Sequence, residues 1–108
     1  MMINKKEYYN ELLPFYNMLL TTKQQEIMNY YYYEDFSLSE IAEINNTTRS
    51  AIYDAIRKSN MLLEKYEIKL KLLQKYKNRV IIYKELLNKE DEYIKNLINK
   101  LIEIEEEN

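Results

Sequence analysis

The stretch SLSEIAEINNTTRSAIYDAIRK, residues 37–58, decides the fold. Ser37 followed three residues later by Glu40 forms a capping box, which predicts that a short helix begins directly after Ser37. The polar run NNTT, residues 45–48, ends that helix, because Asn tolerates the left-handed backbone of a helix C-terminus and Thr48 is a good N-cap for the next helix. A short helix, a turn of about four residues and a capped longer helix are typical of a helix-turn-helix.

Apolar residues at helical spacing predict how these two helices pack. Ala42 is small enough to let them cross closely, Ile41 and Ile52 are predicted to close the core between them, and Ile56 extends the same face. The residues off this face are predicted to look into a DNA major groove. The candidate nucleic-acid-binding residues are Thr47, Thr48, Arg49, Ser50, Tyr53, Asp54, Arg57 and Lys58.

The residue types on this face suit nucleic-acid recognition. Arg presents a bidentate fork to guanine N7 and O6, and the Thr and Ser hydroxyls can bind phosphate near the helix N-terminus. The same periodicity is also compatible with two packed helices that have no nucleic-acid role, and the sequence leaves that alternative open.

The chain before this stretch is predicted to be helical as well. Thr21 and Gln24 form a second capping box, and apolar residues continue the stripe of that helix to about Tyr33. An earlier helix is expected to be broken or kinked near Pro14 and to end by Leu20. The predicted fold class is therefore all-α: a helical bundle that contains a helix-turn-helix, followed by a long C-terminal helical extension.

A seven-residue repeat runs through the C-terminal third. Its apolar positions are Leu73, Tyr76, Val80, Tyr83, Leu87, Ile94, Leu97, Leu101 and Ile104, with Glu90 as the interruption. Such a seam requires a partner helix, either from the same chain folding back or from a second copy, and a homodimer is the preferred prediction. The weakest point of the repeat is 88–92. We predict a helix-turn-helix domain over 1–75 and a dimerisation or packing segment over 76–108.

The composition excludes several classes of chemistry. The 108 residues contain no His, no Cys and no Gly. Imidazole and thiolate catalysis and ordinary zinc sites need the first two, and Gly-rich phosphate loops need the third. We therefore expect no enzyme, no cofactor, no metal site and no small-molecule substrate. No apolar run resembles a signal peptide or a membrane span, so a cytoplasmic protein without membrane insertion is expected.

The net charge of −2 is unevenly distributed. Residues 57–79 hold eight basic and two acidic side chains, a net charge of +6, whereas residues 80–108 hold four basic and eight acidic ones, a net charge of −4. The basic run could supply phosphate contacts beside the second helix of the motif. It could equally be a solvated face whose Lys stems cover the edge of the core.

The segments LLTTKQQ at 19–25, YYYEDFSLSEIAE at 31–43 and RSAIYDAIRK at 49–58 resemble the YlxM family of small bacterial proteins. The resemblance implies a fold like region 4 of sigma-70 factors and a part in the signal recognition particle pathway, since members are usually encoded beside its GTPase or receptor. RNA or the GTPase would then be partners besides DNA. A third hypothesis is a helical dimer module that recruits a protein partner. The chain has Lys71 where the family pattern has Gly.

Overall fold

A computed structural model of the chain describes residues 3–107, and side chains from residue 5 onward. The described residues contain α-helices, one short 3-10 helix and no β-strand, which confirms the all-α fold class. The helices are α1 (Ile3–Tyr16), the 3-10 helix (Asn17–Leu19), α2 (Thr22–Tyr32), α3 (Leu38–Ile44), α4 (Arg49–Leu70), α5 (Leu72–Leu87) and α6 (Glu92–Glu106).

The chain divides into two compact units, one up to Leu70 and the other from Lys71 onward. The first unit holds α1 to α4, and the second holds α5 and α6. A division at 75/76, as the sequence suggests, would instead leave the first turn of α5 with the helix-turn-helix domain.

Both predicted capping boxes are present. The Thr21 hydroxyl accepts from the Gln24 backbone N–H at 3.2 Å, and the Gln24 side chain accepts from the Thr21 backbone N–H at 2.9 Å. Ser37 and Glu40 make the same pair of bonds at 3.0 and 2.9 Å. These contacts satisfy backbone donors that have no partner within the helix, and they fix where α2 and α3 begin.

The first helix passes through Pro14 and ends two residues later at Tyr16. Pro14 lies in the last turn of α1, where it has no N–H to donate to the carbonyl of residue 10, so the helix is weakened just before its end. The predictions that the helix breaks near Pro14 and ends by Leu20 agree with this end at Tyr16, after which the chain continues as the 3-10 helix.

Helix α4 is the centre of the first unit, because α1, α2 and α3 all pack against it. The side chains that are almost completely buried come from all four helices. They are Leu12, Leu13, Tyr16, Met28, Ile41, Ile52, Ile56 and Leu63. Burial of such side chains contributes about 1.5–3 kcal/mol each and is the main force that holds the four helices together.

A row of polar side chains also lies on the buried side of α4. Residues 60, 64 and 67 share one face because their spacing is helical, and each accepts a hydrogen bond from a tyrosine hydroxyl of α1 or α2. The pairs are Tyr32 with Asn60, Tyr9 with Glu64, and Tyr16 with Glu67.

The second unit is a helical hairpin in which α6 packs against α5. The helices are separated by residues 88–91, which lie within the predicted weak point at 88–92. Asp91 caps α6 by accepting from two backbone N–H groups. In α6, Ile98 is buried, whereas Leu97, Leu101 and Ile104 are exposed. The chain folds back on itself, which was one of the two predicted arrangements, but the α6 residue that it buries, Ile98, lies outside the repeat.

The separation of α4 and α5 occurs at Lys71. This residue has φ 55° and ψ 33°, the left-handed conformation. That conformation is strained for residues with a Cβ, so Lys71 adopts at some cost a conformation that Gly would adopt without steric strain. The sequence around it contains no Pro or Gly that would mark the break.

No helix among the described residues combines the length and the apolar character that crossing a bilayer requires.

Candidate nucleic-acid interface

The turn between α3 and α4 is a Schellman motif. Asn46 is in the left-handed conformation with φ 51°. Its N–H donates to the Glu43 carbonyl at 3.2 Å, and the Thr47 N–H donates to the Ala42 carbonyl at 3.0 Å. The Asn45 side chain donates to the Ile41 carbonyl at 2.8 Å. The hydrogen bonds of this turn thus satisfy carbonyl groups at the C-terminus of α3, which confirms the prediction that the two Asn residues end the helix.

Thr48 caps α4, as predicted. Its hydroxyl accepts from the Ala51 N–H at 3.1 Å, and its carbonyl accepts from the Ile52 N–H at 3.1 Å. The Thr48 hydroxyl also lies 3.3 Å from the Ser50 hydroxyl. The turn therefore places two exposed hydroxyl groups at the N-terminus of α4, where a helix favours negative charge.

The interhelical core is the one that the spacing predicts. Ile41, Ile52 and Ile56 are at most 2% exposed, and Ala42 is 5% exposed. This packing leaves the candidate residues on the outside. Thr47, Thr48, Arg49, Ser50, Arg57 and Lys58 are exposed, and Tyr53 and Asp54 are half-buried.

Asp54 links two of the basic side chains on this face. Its Oδ1 accepts from Arg57 Nη2 at 2.8 Å, and its Oδ2 lies 3.0 Å from Lys58 Nζ. Hydrogen bonds from Arg57, then from Lys58, hold the pKa of Asp54 below its ordinary value. The carboxyl group therefore stays charged and offsets part of the positive charge of the face.

The other basic groups near this face have different surroundings. Within residues 3–107, Arg49 makes no ion pair and its side chain is exposed. Lys65 and Lys69, further along α4, are exposed as well. The positive charge that is available to a ligand is therefore concentrated on Arg49, Lys65 and Lys69, whereas Arg57 and Lys58 are paired with Asp54.

An apolar groove of about 490 Å³ lies beside the face, where α2 meets α4. It is lined by Gln24, Lys58, Met61, Leu62 and Lys65. Met61 is 56% exposed, and its Sδ lies 3.4 Å from Arg57 Nη1.

The comparison with known families agrees with this arrangement. The family model described as "UPF0122: Putative helix-turn-helix protein, YlxM / p13 like" matches residues 3–104. The chain belongs to this family. The resemblance to YlxM is therefore confirmed, and so is the helix-turn-helix that the sequence predicts.

Other members of the family are similar over most of their length. A UPF0122 protein of Streptococcus suis is 44% identical over 107 residues, which is 97% of this chain and 95% of that protein. One from Clostridium acetobutylicum is 46% identical over 87 residues, 81% of this chain and 75% of that protein. One from Malacoplasma penetrans is 44% identical over 96 residues, 89% of this chain and 84% of that protein.

Two features of the site in this YlxM-like protein were not predicted from its sequence. One is the pairing of Asp54 with Arg57 and Lys58, although spacings of three and four residues on a helix signal such pairs. The other is the groove at Met61, for which the sequence gives no signal because it depends on how α2 crosses α4. Within the described residues, no group of three or more Asp or Glu is placed to hold a metal ion.

Proposed function

We propose that this protein is a helix-turn-helix regulator that binds nucleic acid, with duplex DNA as the main target. The observation that carries the proposal is that Ile41, Ile52 and Ile56 are buried between α3 and α4, whereas Arg49, Ser50, Arg57 and Lys58 on α4 are exposed. The protein acts in the cytoplasm and is neither an enzyme nor dependent on a cofactor.

In this proposal the first turns of α4 enter the major groove. Arg49 and Arg57 are eight residues apart, which places them about 12 Å apart along the helix axis. A major groove of about 12 Å width admits such a helix, and both side chains can reach guanine edges. Thr47, Thr48 and Ser50 lie at the helix N-terminus, where hydroxyl and backbone N–H groups bind phosphate.

The experiment is a salt-titrated binding assay with Arg49→Ala/Arg57→Ala. It compares duplex DNA from the protein's own promoter region with the RNA of the signal recognition particle. The variant is expected to lose at least tenfold in affinity for DNA, because each bidentate Arg contact contributes about 1–3 kcal/mol. Lys84→Ala/Lys89→Ala removes the same two charges from exposed positions of the second unit and serves as the matched control. Unchanged affinity of the double Arg variant for every DNA and RNA would disprove the proposal.

A second part of the proposal is a role in the signal recognition particle pathway. It is supported by the similarity to YlxM and by the exposed Lys65 and Lys69 within the basic run 57–79. The partner would be the particle's RNA or its GTPase, with or without sequence-specific DNA binding. Co-purification with the particle and a changed GTPase rate are expected. Absence of both would exclude this role.

The third part is a homodimer, which would place two helix-turn-helix units on a two-fold site. It is supported by the exposed apolar residues Leu97, Leu101 and Ile104 on α6, which belong to the seven-residue repeat. Sedimentation at micromolar concentration should give twice the mass of the chain, and a monomer would argue against the dimer and against a dimeric module that recruits a protein partner.

A further inference from the structure

The basic residues of the candidate interface are not equivalent. Arg57 and Lys58 share one carboxylate, that of Asp54, at 2.8 and 3.0 Å, whereas Arg49 has no ion pair within the described chain. Asp54, Arg57 and Lys58 form one cluster on α4, and 46%, 48% and 65% of their side-chain surfaces remain open to solvent.

The guanidinium of Arg57 is held at two points. Nη2 donates to Asp54 Oδ1, and Nη1 lies 3.4 Å from the Sδ of Met61, one turn further along the helix. Arg57 therefore lies along α4, with its plane fixed by a carboxylate on one side and a thioether on the other. Exposed ion pairs of this kind contribute little to stability, so their main effect is on orientation and local charge.

The carboxylate changes what the face can bind. A phosphate that approaches Arg57 or Lys58 is repelled by the negative charge of Asp54, even where an N–H of the basic group remains free to donate. A guanine edge carries no charge and accepts from Arg57 without displacing the Nη2 bond to Asp54, provided that Nη1 leaves the weak sulfur contact. The arrangement penalises phosphate binding more than base recognition.

We propose that Asp54 is the residue that sets the selectivity of this interface: it withholds Arg57 and Lys58 from phosphate and orients Arg57 for a base edge. The inference rests on the proposed nucleic-acid binding. Asp54 is a positioning residue, since it acts through its two basic neighbours.

The test uses the full chain with Asp54→Asn, which removes the charge at nearly constant shape. Two duplexes are compared: one selected by the unmodified protein from a randomised pool, and one of random sequence. Asp54→Asn should bind the random duplex on the order of three- to tenfold more tightly, and the slope of log affinity against log salt should steepen by about one to two, because up to two cations become free for phosphate. The ratio of affinities between selected and random duplex should fall accordingly.

Glu26→Gln is the matched control. Glu26 is exposed on α2 and lies 4.0 Å from Lys23 of the same helix, so the variant makes the same change in net charge at a residue outside the Asp54 cluster. It should alter neither the slope nor the ratio. Asp54→Glu keeps the charge and can still reach residues three and four positions on, so it should retain the low affinity for random DNA.

The outcomes separate the two proposals. If the unmodified protein binds no nucleic acid, the proposed function fails and the role of Asp54 fails with it. If the protein binds DNA but Asp54→Asn changes neither slope nor ratio, the interface stands and Asp54 has no such role. Weaker binding of Asp54→Asn to the selected duplex alone would mean that the carboxylate itself contacts a base, which also overturns the inference.

Discussion

The hydroxyl of Tyr32 on α2 donates a 2.9 Å hydrogen bond to the side-chain oxygen of Asn60 on α4, inside the core of the first unit. Both side chains are buried, and burial raises the pKa of the Tyr32 hydroxyl well above its ordinary value, so it remains a donor at neutral pH. The bond fixes which part of α2 lies against α4, and Ile52 and Ile56 on that same helix close the core of the helix-turn-helix.

Tyr32→Phe should lower the free energy of unfolding by about 1 kcal/mol, because one buried hydrogen bond is lost while the ring still fills the core. Tyr33→Phe is the control: Tyr33 is 52% exposed, so the loss of its hydroxyl should change stability by less than about 0.5 kcal/mol. Urea unfolding measures both variants. Equal effects of the two substitutions would mean that the bond to Asn60 does not stabilise the fold.

The capping box of α3 should make stability depend on pH. Hydrogen bonds from the backbone N–H and the side chain of Ser37 hold the pKa of Glu40 below its ordinary value of 4.5. A group with a lowered pKa in the folded state stabilises the fold fully above its unfolded pKa, and this contribution disappears as the pH falls through the folded pKa.

Glu40→Gln keeps the capping geometry but removes the charge, so the difference in melting temperature from the unmodified protein isolates this effect. The difference should be constant above about pH 5.5, about one unit above the ordinary pKa, and should shrink as the pH is lowered to 3. Thermal melts followed by circular dichroism across this range provide the measurement. A difference that does not vary with pH would contradict the assignment.

The helix starts could be predicted because their signals are local. Ser37 with Glu40, and Thr21 with Gln24, satisfy backbone donors only three residues apart, so the sequence alone determines them. The bond from Tyr32 to Asn60 joins residues 28 positions apart. Which of several neighbouring tyrosines turns inward depends on how α2 crosses α4, and no periodicity specifies a hydroxyl's partner.

The break at Lys71 leads to a prediction about glycine. Lys71→Gly should raise the free energy of unfolding by about 0.5–1 kcal/mol, because Gly adopts the left-handed conformation without the strain of a Cβ. This gain is already reduced by the greater conformational freedom of Gly in the unfolded chain. Lys75→Gly makes the same chemical change at an exposed position inside α5 and should lower it by about 1 kcal/mol. Chemical denaturation measures both, and a loss of stability in both variants would contradict the left-handed assignment.

The seven-residue repeat was informative about helices but not about their partner. Its period is the same whether the seam meets a helix of its own chain or that of a second copy, so the sequence left both open. The structure places the turn at 88–91 and buries Ile98, a residue outside the repeat. Leu101, within the repeat, is exposed because α6 presents a neighbouring stripe to α5.

Two substitutions on α6 therefore test which stripe is inside. Ile98 is 4% exposed and Ile104 is 60% exposed. Ile98→Ala should destabilise the hairpin by about 2–4 kcal/mol, because it removes buried methyl groups and leaves a cavity, whereas Ile104→Ala should cost less than about 0.5 kcal/mol in the isolated chain. Because the hairpin belongs to a compact unit of its own, hydrogen exchange of the α6 amides, which reports local opening, is a better measure than a single melting curve.

The dependence on protein concentration then distinguishes the hairpin from the dimer. A penalty for Ile104→Ala that grows with protein concentration indicates that a second copy covers this side of α6, since association stabilises only the state that binds. A penalty that is large and independent of concentration would mean that Ile104 is buried within the chain, which would contradict the hairpin packing.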